Sequence, residues 1–260
     1  MASSAIRDDR AFVAVTGVGT QEFLQGLLSQ DVAKVSTGRA AYGALLTPQG
    51  KFLHDVFITG DAAGLTLECE ADRSDDLLTR LKRYRLRAKV EIAPVDGWAA
   101  GMVWPAGALE LGDDRGAGRF EGDAFAYVDP RLAALGARVV GPRPAVEAVT
   151  KRFDAVGVDT YRQMRLGLGV PEGAADIAVD KGFLLENGFD ELNGVDWKKG
   201  CYVGQELTAR TKYRGLVKRR LMPVRTEGAA PDAGAALEYD GKDAGEMRGA
   251  AGEVGLALVR

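Results

Sequence analysis

Short apolar runs, many of them alternating with polar residues, dominate the first half of the chain. Such runs predict buried or half-buried strands, and they lie at residues 11–15, 41–46, 51–58, 65–69, 90–92, 98–104 and 125–128. The segment Thr47-Pro48-Gln49-Gly50 separates two of these runs, and proline second with glycine fourth is typical of a type I turn. We therefore predict a β-hairpin over residues 41–58.

Helical periodicity occurs in three segments. Thr20 is placed to cap a helix whose apolar face holds Phe23, Leu24, Leu27 and Leu28. Ser74 is placed to cap a second helix, with acidic residues in its first turn and basic residues near its last, as the helix dipole favours. Pro142 and Pro144 lie at the start of the third.

The second half of the chain carries weaker signals. Residues 157–200 hold many glycines and little periodicity, and strands are predicted again at residues 217–224 and 252–259. Taken together, the patterns indicate an α+β protein with mostly antiparallel strands and a small β-rich end.

Composition places the chain among globular proteins. Its 260 residues include 46% hydrophobic and 27% charged residues, which excludes disordered, collagen-like and disulfide-scaffold chains. Two cysteines, Cys69 and Cys201, and one histidine, His54, are too few to assemble a tetrahedral zinc site without carboxylates. Because no apolar run has the length of a signal peptide or membrane helix, we expect a reduced cytoplasmic compartment, no membrane association and no metal site.

Positive charge is concentrated in two stretches, although the whole chain has a net charge of −3. Residues 198–220 hold eight basic residues and one acidic residue, and residues 79–91 hold six and one. One interpretation is a solvated strand face, and the other is a surface that attracts an anionic ligand. Nucleic acid would fit the second interpretation, and so would a small ligand with a polycarboxylate tail.

Candidate chemistry is densest in the octamer KGCYVGQE at residues 199–206. Its two glycines permit positive φ angles and a close approach of the backbone to a ligand. The lysines just before Cys201 favour its thiolate form. A glycine turn around a buried, inert cysteine is the alternative. Upstream, Glu186 lies in LLENGFD and Arg165 in MRLGLGVP.

The octamer, followed by Ala209-Arg210, resembles the signature of the YgfZ-type folate-binding proteins. That family includes mitochondrial factors for iron–sulfur protein maturation, is associated with tRNA modification, and is related to the T-protein (aminomethyltransferase) of the glycine-cleavage system. Further blocks are similar in the same order, namely FLQGLLSQDV (23–32), YGALLTPQGKFLHDVFI (42–58), LKRYRLRAKVEI (81–92) and RLGLGVP (165–171). The similarity covers most of the chain up to about residue 225.

The resemblance implies an aminomethyltransferase-like fold, a ring of three parts around a central channel that binds tetrahydrofolate. Two α+β parts would comprise approximately residues 1–46 with 137–210, and residues 47–136, and a short barrel-like β module would occupy residues 211–260. Glu186 matches the family's pterin-facing glutamate, which accepts a two-point hydrogen bond, and Arg165 matches the arginine before it.

Further cofactor contacts are implied by motif rather than by spacing. The octamer and its flank contribute Lys199, Gly200, Tyr202, Gly204, Gln205, Glu206 and Arg210. A cationic surface for the glutamate tail of folate would come from Arg83, Arg85, Arg87 and the 210–220 run. Tyr202 and Trp197 either stack on the pterin or pack in the core.

The chain departs from the T-protein pattern in two respects. It lacks the Asn-Ala block that precedes the T-protein's proton-handling aspartate, and the position of Asp76, which aligns nearby, is explained by the helix dipole. It also carries Cys201, which the T-protein lacks, so glycine-cleavage activity is not expected. His54, on an alternating strand, is predicted to be a half-exposed structural histidine, and Cys69 a small core residue.

Three functions remain open at this point. The first is a tetrahydrofolate-binding factor for iron–sulfur protein assembly or repair, with Cys201 as the catalytic group and iron–sulfur client or assembly proteins as partners. The second is a tetrahydrofolate-dependent one-carbon transferase. The third is an RNA-binding module, which only the basic stretches favour, and we do not expect nucleic acid as a partner for a chain of net charge −3.

Overall fold

Residues 1–215 and 217–260 are described in a computed structural model, and Leu216, inside the basic stretch 198–220, lies outside the described residues. The strands are β1 (Ser3–Arg7), β2 (Arg10–Thr16), β3 (Ala41–Leu46), β4 (Phe52–Gly60), β5 (Gly64–Glu70), β6 (Glu91–Pro94), β7 (Trp98–Trp104), β8 (Gly118–Glu121), β9 (Ala124–Val128), β10 (Ala137–Pro142), β11 (Asp154–Ala155), β12 (Arg220–Arg225), β13 (Ala236–Tyr239), β14 (Lys242–Ala251) and β15 (Val254–Val259). The helices are α1 (Thr20–Gln25), α2 (Ser74–Arg85), α3 (Arg143–Thr150), α4 (Val158–Gly167), α5 (Gly173–Asp176) and α6 (Gln205–Arg214).

Three sheets contain the described strands. Their orders are β11-β1-β7-β10-β9-β8, β3-β4-β5-β2-β6 and β12-β15-β14-β13. All strand pairs are antiparallel except β1 with β11, so the predicted α+β class with mostly antiparallel strands is confirmed. The sheets divide the chain differently from the predicted split after residues 46 and 136, because β3 pairs with β4 and β9 with β10 across those positions.

Apolar side chains hold helices against each large sheet. The core of the five-stranded sheet includes Leu24 and Leu28 near α1 and Leu77 and Leu81 from α2, which pack with strand residues such as Val15. Helix α3 packs against the six-stranded sheet through its buried valines. The small sheet is joined to the rest by Leu166 of α4, which clusters with leucines of β12 and β15.

The local turn chemistry was predicted well, and the helix caps were not. The hairpin is confirmed, because the Gly50 N–H donates to the Thr47 carbonyl at 2.8 Å between β3 and β4. Thr20 does not cap α1, since Gly19 occupies the cap position and the Thr20 hydroxyl donates to the Val15 carbonyl. Ser74 is likewise the first residue of α2 rather than its cap.

Helices α4, α5 and α6 were not predicted, and the two longer ones bury polar residues or almost nothing. Helix α4 lies in the region predicted to be irregular. It buries Tyr161 and Arg165 together with Leu166, so the sequence shows no purely apolar face at helical spacing. Helix α6, inside the basic stretch, buries only Thr208. That part of the basic stretch is therefore a solvated helix rather than a strand face.

A buried ionic network connects the two large sheets. Arg10 on β2 donates to Glu68 on β5 at 2.9 Å, and Arg138 on β10 of the other sheet donates to the same carboxylate. Arg138 also lies with its guanidinium 3.6 Å from the centre of the Phe57 ring on β4. Because both arginines are buried, the carboxylate of Glu68 provides the opposite charge that each requires.

Glu172 is the second acidic centre of this network. Its carboxylate accepts from Arg7 at 2.5 Å and from Arg131 at 2.9 Å, and Arg131 also donates to Asp129 at 2.9 Å. The side chain of Arg131 is completely buried. The surrounding arginines hold the pKa of Glu172 well below its usual range, although burial alone acts in the opposite direction.

We predict that Glu172→Gln lowers the free energy of unfolding by about 3–5 kcal/mol, because two buried guanidinium groups lose their shared charge partner. Urea denaturation measures this difference. The matched control is Glu206→Gln, which removes an exposed ion pair to Arg210 and is expected to change stability by less than about 0.5 kcal/mol. Equal effects of the two variants would show that the network adds no stability.

His54 is more buried than predicted, with only 1% of its surface exposed. Its Nε2 lies 2.8 Å from Asp76, which also accepts from Arg80 at 2.7 Å. Burial and the charge of Arg73 lower the pKa of His54 from 6.5 to about 4. The expectation of a half-exposed histidine was wrong because one edge of the ring meets the first turn of α2.

The pKa of His54 predicts a loss of stability in acid. Between pH 6.5 and about 4 the unfolded chain binds a proton at this site that the folded chain does not, so this contribution to stability falls as the pH falls. The wild type should lose roughly 3 kcal/mol more than His54→Gln between pH 7 and pH 4. Parallel denaturation curves at these pH values would measure it, and an unchanged difference between the two proteins contradicts the prediction.

Candidate functional site

The octamer of residues 199–206 is held in place by two glycines that meet at one point. Gly204 is the N-cap of α6 at φ +81°, and a Cβ there would lie 2.4 Å from the Thr47 carbonyl oxygen. Gly50, at φ +77°, approaches the Gly204 carbonyl in the same way, with only 2.8 Å available to a Cβ. The tight contact requires glycine on both sides, and it fixes the octamer against the β3–β4 turn.

Lys199 fixes the other side of the octamer. Its ammonium donates to the backbone carbonyls of Gln25, Leu28 and Gln30, which lie at and after the C-terminal end of α1. Burial lowers the pKa of Lys199 to about 8, so the group is still charged at neutral pH. The backbone N–H of Val203 adds a bond of 3.0 Å to the Gly26 carbonyl. Lys199 therefore positions the loop.

Tyr202 is a core residue in this structure. It is buried in a cluster with Tyr42, Phe52 and Phe189, and burial raises the pKa of its hydroxyl to about 12. Its ring also lies 5.0 Å from the Lys199 ammonium. Of the two interpretations offered by the sequence, core packing is the one that the geometry favours.

Cys201 projects from this fixed loop into solvent. It is an exposed free thiol, whereas Cys69 is completely buried and burial raises the pKa of Cys69 to about 12. A Cβ added at the preceding Gly200 would meet no atom within 4 Å, so the approach to the thiol is open on that side. The alternative of a buried cysteine at position 201 is thus wrong.

The remaining octamer residues have structural partners. The Gln205 side chain accepts from the Tyr202 N–H at 3.3 Å and closes the turn before α6. Glu206 and Arg210 form an exposed pair one helical turn apart, at 2.7 Å. Lys198 is exposed beside Cys201 and, within the part of the chain that is described, forms no ion pair.

Glu186 and Arg165 do not converge on one site. Glu186 is in a short 3-10 turn, and its two carboxylate oxygens lie 3.1 and 3.4 Å from the Arg219 guanidinium in the segment that leads into β12. Arg165 is buried on α4, where it donates to Asp176 at 2.6 Å and to the Val170 carbonyl at 2.5 Å. The charges of both Glu186 and Arg165 are therefore matched by another residue of the chain.

A polar cavity of about 160 Å³ lies beside the ionic network. Its lining includes Arg7, Arg10, Glu70, Tyr161, Arg165 and Glu172. Burial and the nearby Asp55 raise the pKa of Glu70 to about 7. Neither Glu70 nor Arg219 was singled out from the sequence, because the partner that makes each of them notable is distant along the chain. No group of three or more histidine, cysteine or acidic residues placed to hold a metal ion occurs among residues 1–215 and 217–260.

Among the described residues, no helix is both long enough and apolar enough to cross a membrane.

Comparison with known sequences finds relatives along nearly the whole chain. The chain is 33% identical over 277 residues to the Mus musculus iron–sulfur cluster assembly factor IBA57, mitochondrial, with 97% of this chain and 76% of the relative covered. The Homo sapiens protein of the same name is 34% identical over 278 residues, with the same coverage. A Neurospora crassa homolog is 35% identical over 239 residues, covering 86% of this chain but only 54% of that protein.

Two further comparisons concern the fold. Residues 218–260 match the C-terminal beta-barrel domain of CAF17. The crystal structure of glycine cleavage system aminomethyltransferase T from Bartonella henselae superposes with a TM-score of 0.77 at 16% identity, covering 99% of this chain and 78% of that one. The predicted aminomethyltransferase-like fold with a C-terminal β module is confirmed.

The comparisons correct one prediction and confirm another. The expectation of a cytoplasmic location was wrong, because the relatives named above are mitochondrial proteins. The resemblance drawn from the octamer and its companion blocks is confirmed by identities of 33 and 34% along 97% of the chain. The chain belongs to the IBA57 family of iron–sulfur cluster assembly factors.

Proposed function

We propose that this chain acts in the assembly or repair of iron–sulfur proteins, including enzymes of tRNA modification, through the thiolate of Cys201. The observation that carries the proposal is an exposed thiol on a loop fixed from both sides, by the glycine contact at Gly204 and by the Lys199 ammonium. A rigid support of this kind holds a ligand atom in place without requiring the chain to order when it binds.

One thiolate cannot hold a cluster alone. Iron–sulfur clusters are generally bound by four cysteine or histidine ligands, and among the described residues Cys201 belongs to no group of three or more histidine, cysteine or acidic residues placed to hold a metal. The remaining ligands must therefore come from a partner protein. Cys201 would contribute one ligand to a cluster shared between the two proteins, which suits transient transfer better than storage.

Tetrahydrofolate binding is the second part of the proposal, and the residues fit that ligand only in part. Glu186 has the carboxylate that a pterin requires, but Arg219 occupies it. Arg165 does not fit, because it is buried and paired with Asp176. The cavity of about 160 Å³ beside Arg165 is also smaller than the roughly 300–1,000 Å³ of typical sites for ligands of this size.

A folate-dependent one-carbon transferase is the alternative, and the fold likeness to aminomethyltransferase T favours it. The aligned acid, Asp76, is engaged by His54 and Arg80, and those contacts lower its pKa although burial acts in the opposite direction. Release of a one-carbon unit from a methylamine-type substrate to tetrahydrofolate would identify this activity.

We predict that Cys201→Ser abolishes the support of iron–sulfur enzymes in cells that lack their own copy of this protein. In the purified wild type, iodoacetamide should modify Cys201 at least about 100-fold faster than Cys69, because Cys69 is buried with a pKa of about 12. Cys69→Ala is the matched control and should keep the support. Equal alkylation rates, or full support by Cys201→Ser, would contradict the proposal.

The folate part has its own test. Glu186→Ala should weaken tetrahydrofolate binding by about 1.5–3 kcal/mol, the size of a charge-assisted hydrogen bond. Arg219→Ala should strengthen it, because the carboxylate no longer has a competing partner. Glu246→Ala, which removes the other acidic neighbour of Arg219, is the control. Calorimetry that detects no binding by the wild type, or equal affinity in all variants, argues against a folate site at Glu186.

A further inference from the structure

Two neighbouring loops present aliphatic side chains to solvent. Val18 is 93% exposed between β2 and α1, and Leu86 is 87% exposed directly after α2. The loops touch, since the Gly19 N–H donates to the Lys89 carbonyl at 3.4 Å and a Cβ at Gly17 would lie 2.6 Å from the same oxygen. We call residues 17–19 and 82–89 the loop-tip surface.

Leu86 also has an unusual backbone. Its φ of +40° and ψ of −105° are adopted rarely by residues other than glycine, although its side chain is almost fully exposed. Single exposed aliphatic residues are common on protein surfaces. Two of them at adjacent loop tips, one in a strained conformation, are typical of a surface that is covered by a partner.

The loop-tip surface is strongly cationic. Its exposed basic residues are Lys82, Arg83, Arg85, Arg87 and Lys89. Among residues 1–215 and 217–260, none of these five forms an ion pair, whereas Arg80 one turn earlier pairs with Asp76. The neighbouring elements carry the exposed acidic residues Glu22 on α1 and Glu91 on β6. Charge of one sign that is unmatched within the chain attracts a partner of the opposite sign.

Helix α1 connects this surface to Cys201. Its N-terminal end begins after Val18, and its C-terminal end receives the bonds from Lys199 and Val203 of the octamer. The helix has six residues and is therefore about 9 Å long. A partner that covers the loop tips is thus brought close to the exposed thiol, and the exposed Lys198 extends the positive charge to the cysteine itself.

We propose that the loop-tip surface is the docking site of an acidic protein partner, the protein that supplies the other ligands to a cluster at Cys201. The proposal rests on the proposed function for the role of the cysteine. An anionic membrane would use the same charge and the same loop tips, but it would meet the carboxylate of Glu22 between the tips and Cys201. The glutamate tail of a folate would have no use for Val18 and Leu86.

The first experiment measures iron–sulfur enzyme activity in cells that lack their own copy of the protein. The triple variant Arg83→Glu, Arg85→Glu, Arg87→Glu should reduce the support by on the order of tenfold or more, since it reverses the charge of the surface. The double variant Val18→Ser, Leu86→Ser keeps every charge and should also reduce it. The double variant should not weaken the binding of a folate tail, because it keeps every charge. Full support by the double variant therefore overturns the docking of a protein.

The matched control for the triple variant reverses three exposed basic residues elsewhere, Lys181→Glu, Arg225→Glu and Lys242→Glu, with the same change of net charge. It should retain full support. Alkylation of Cys201 at the wild-type rate in both loop-tip variants shows that the thiol and its loop are intact. Loss of support by the control to the same extent would mean that net charge, rather than this surface, matters.

A binding measurement separates the docking site from the cysteine chemistry. A fluorescent poly-glutamate peptide should bind the wild type and Cys201→Ser equally at low salt and bind the triple variant at least about tenfold more weakly. If Cys201→Ser keeps support while the triple variant loses both support and binding, the proposed function fails and the docking site stands. If the wild type binds the peptide no better than the triple variant, or sediments with phosphatidylserine vesicles but not with phosphatidylcholine vesicles, the proposed protein partner is wrong.

Discussion

The two large sheets share a buried ionic network in addition to an apolar cluster that includes Phe12 of β2 and Val140 of β10, and the alignment of the sheets depends on the buried charges. Arg131 and Arg138 are completely buried, and each reaches a carboxylate on a different part of the chain. A buried pair of this kind gives little net stability compared with apolar packing, but a mismatch costs several kcal/mol. The network therefore acts as a constraint on register, because a shift of either sheet would leave a guanidinium group buried without its partner.

That constraint extends to the residues that the sequence offered as a ligand site. Glu172 ties the segment before α5 to the network, and Asp176 at the end of α5 accepts from Arg165. Arg165 consequently belongs to the supporting structure. The octamer with its exposed cysteine is instead held against the β3–β4 turn and α1. The separation is physically reasonable, since a reactive thiol needs an open approach and a rigid base, while buried charges need the opposite.

Local chemistry made part of this structure predictable. The hairpin follows from residues 47–50 alone, and the apolar spacing of α1 marks its buried face. Helix α4 was not predicted from the sequence because it buries an arginine whose partner is eleven residues away in sequence. The role of Lys199 could not be inferred at all, since its carbonyl acceptors lie 169 to 174 positions earlier in the chain. The sequence suggested that the charge of this lysine favours the thiolate of Cys201. In the structure its ammonium binds backbone carbonyls at and after the end of α1 and so holds the octamer against that helix.

The same geometry explains why Lys199 is suited to that position. The C-terminal end of a helix has carbonyl groups without intrahelical partners and a partial negative charge. The half-buried Lys199 ammonium donates to one such carbonyl, that of Gln25, and to the carbonyls of Leu28 and Gln30 that follow the helix, and its partial desolvation, which lowers its pKa to about 8, is offset by those bonds. Because α1 is only six residues long, the hydrogen bonds of Lys199 at its C-terminal end also restrain its N-terminal end. The exposed loop before α1 and the cysteine after Lys199 therefore share one rigid support, and their relative position is set before any partner arrives.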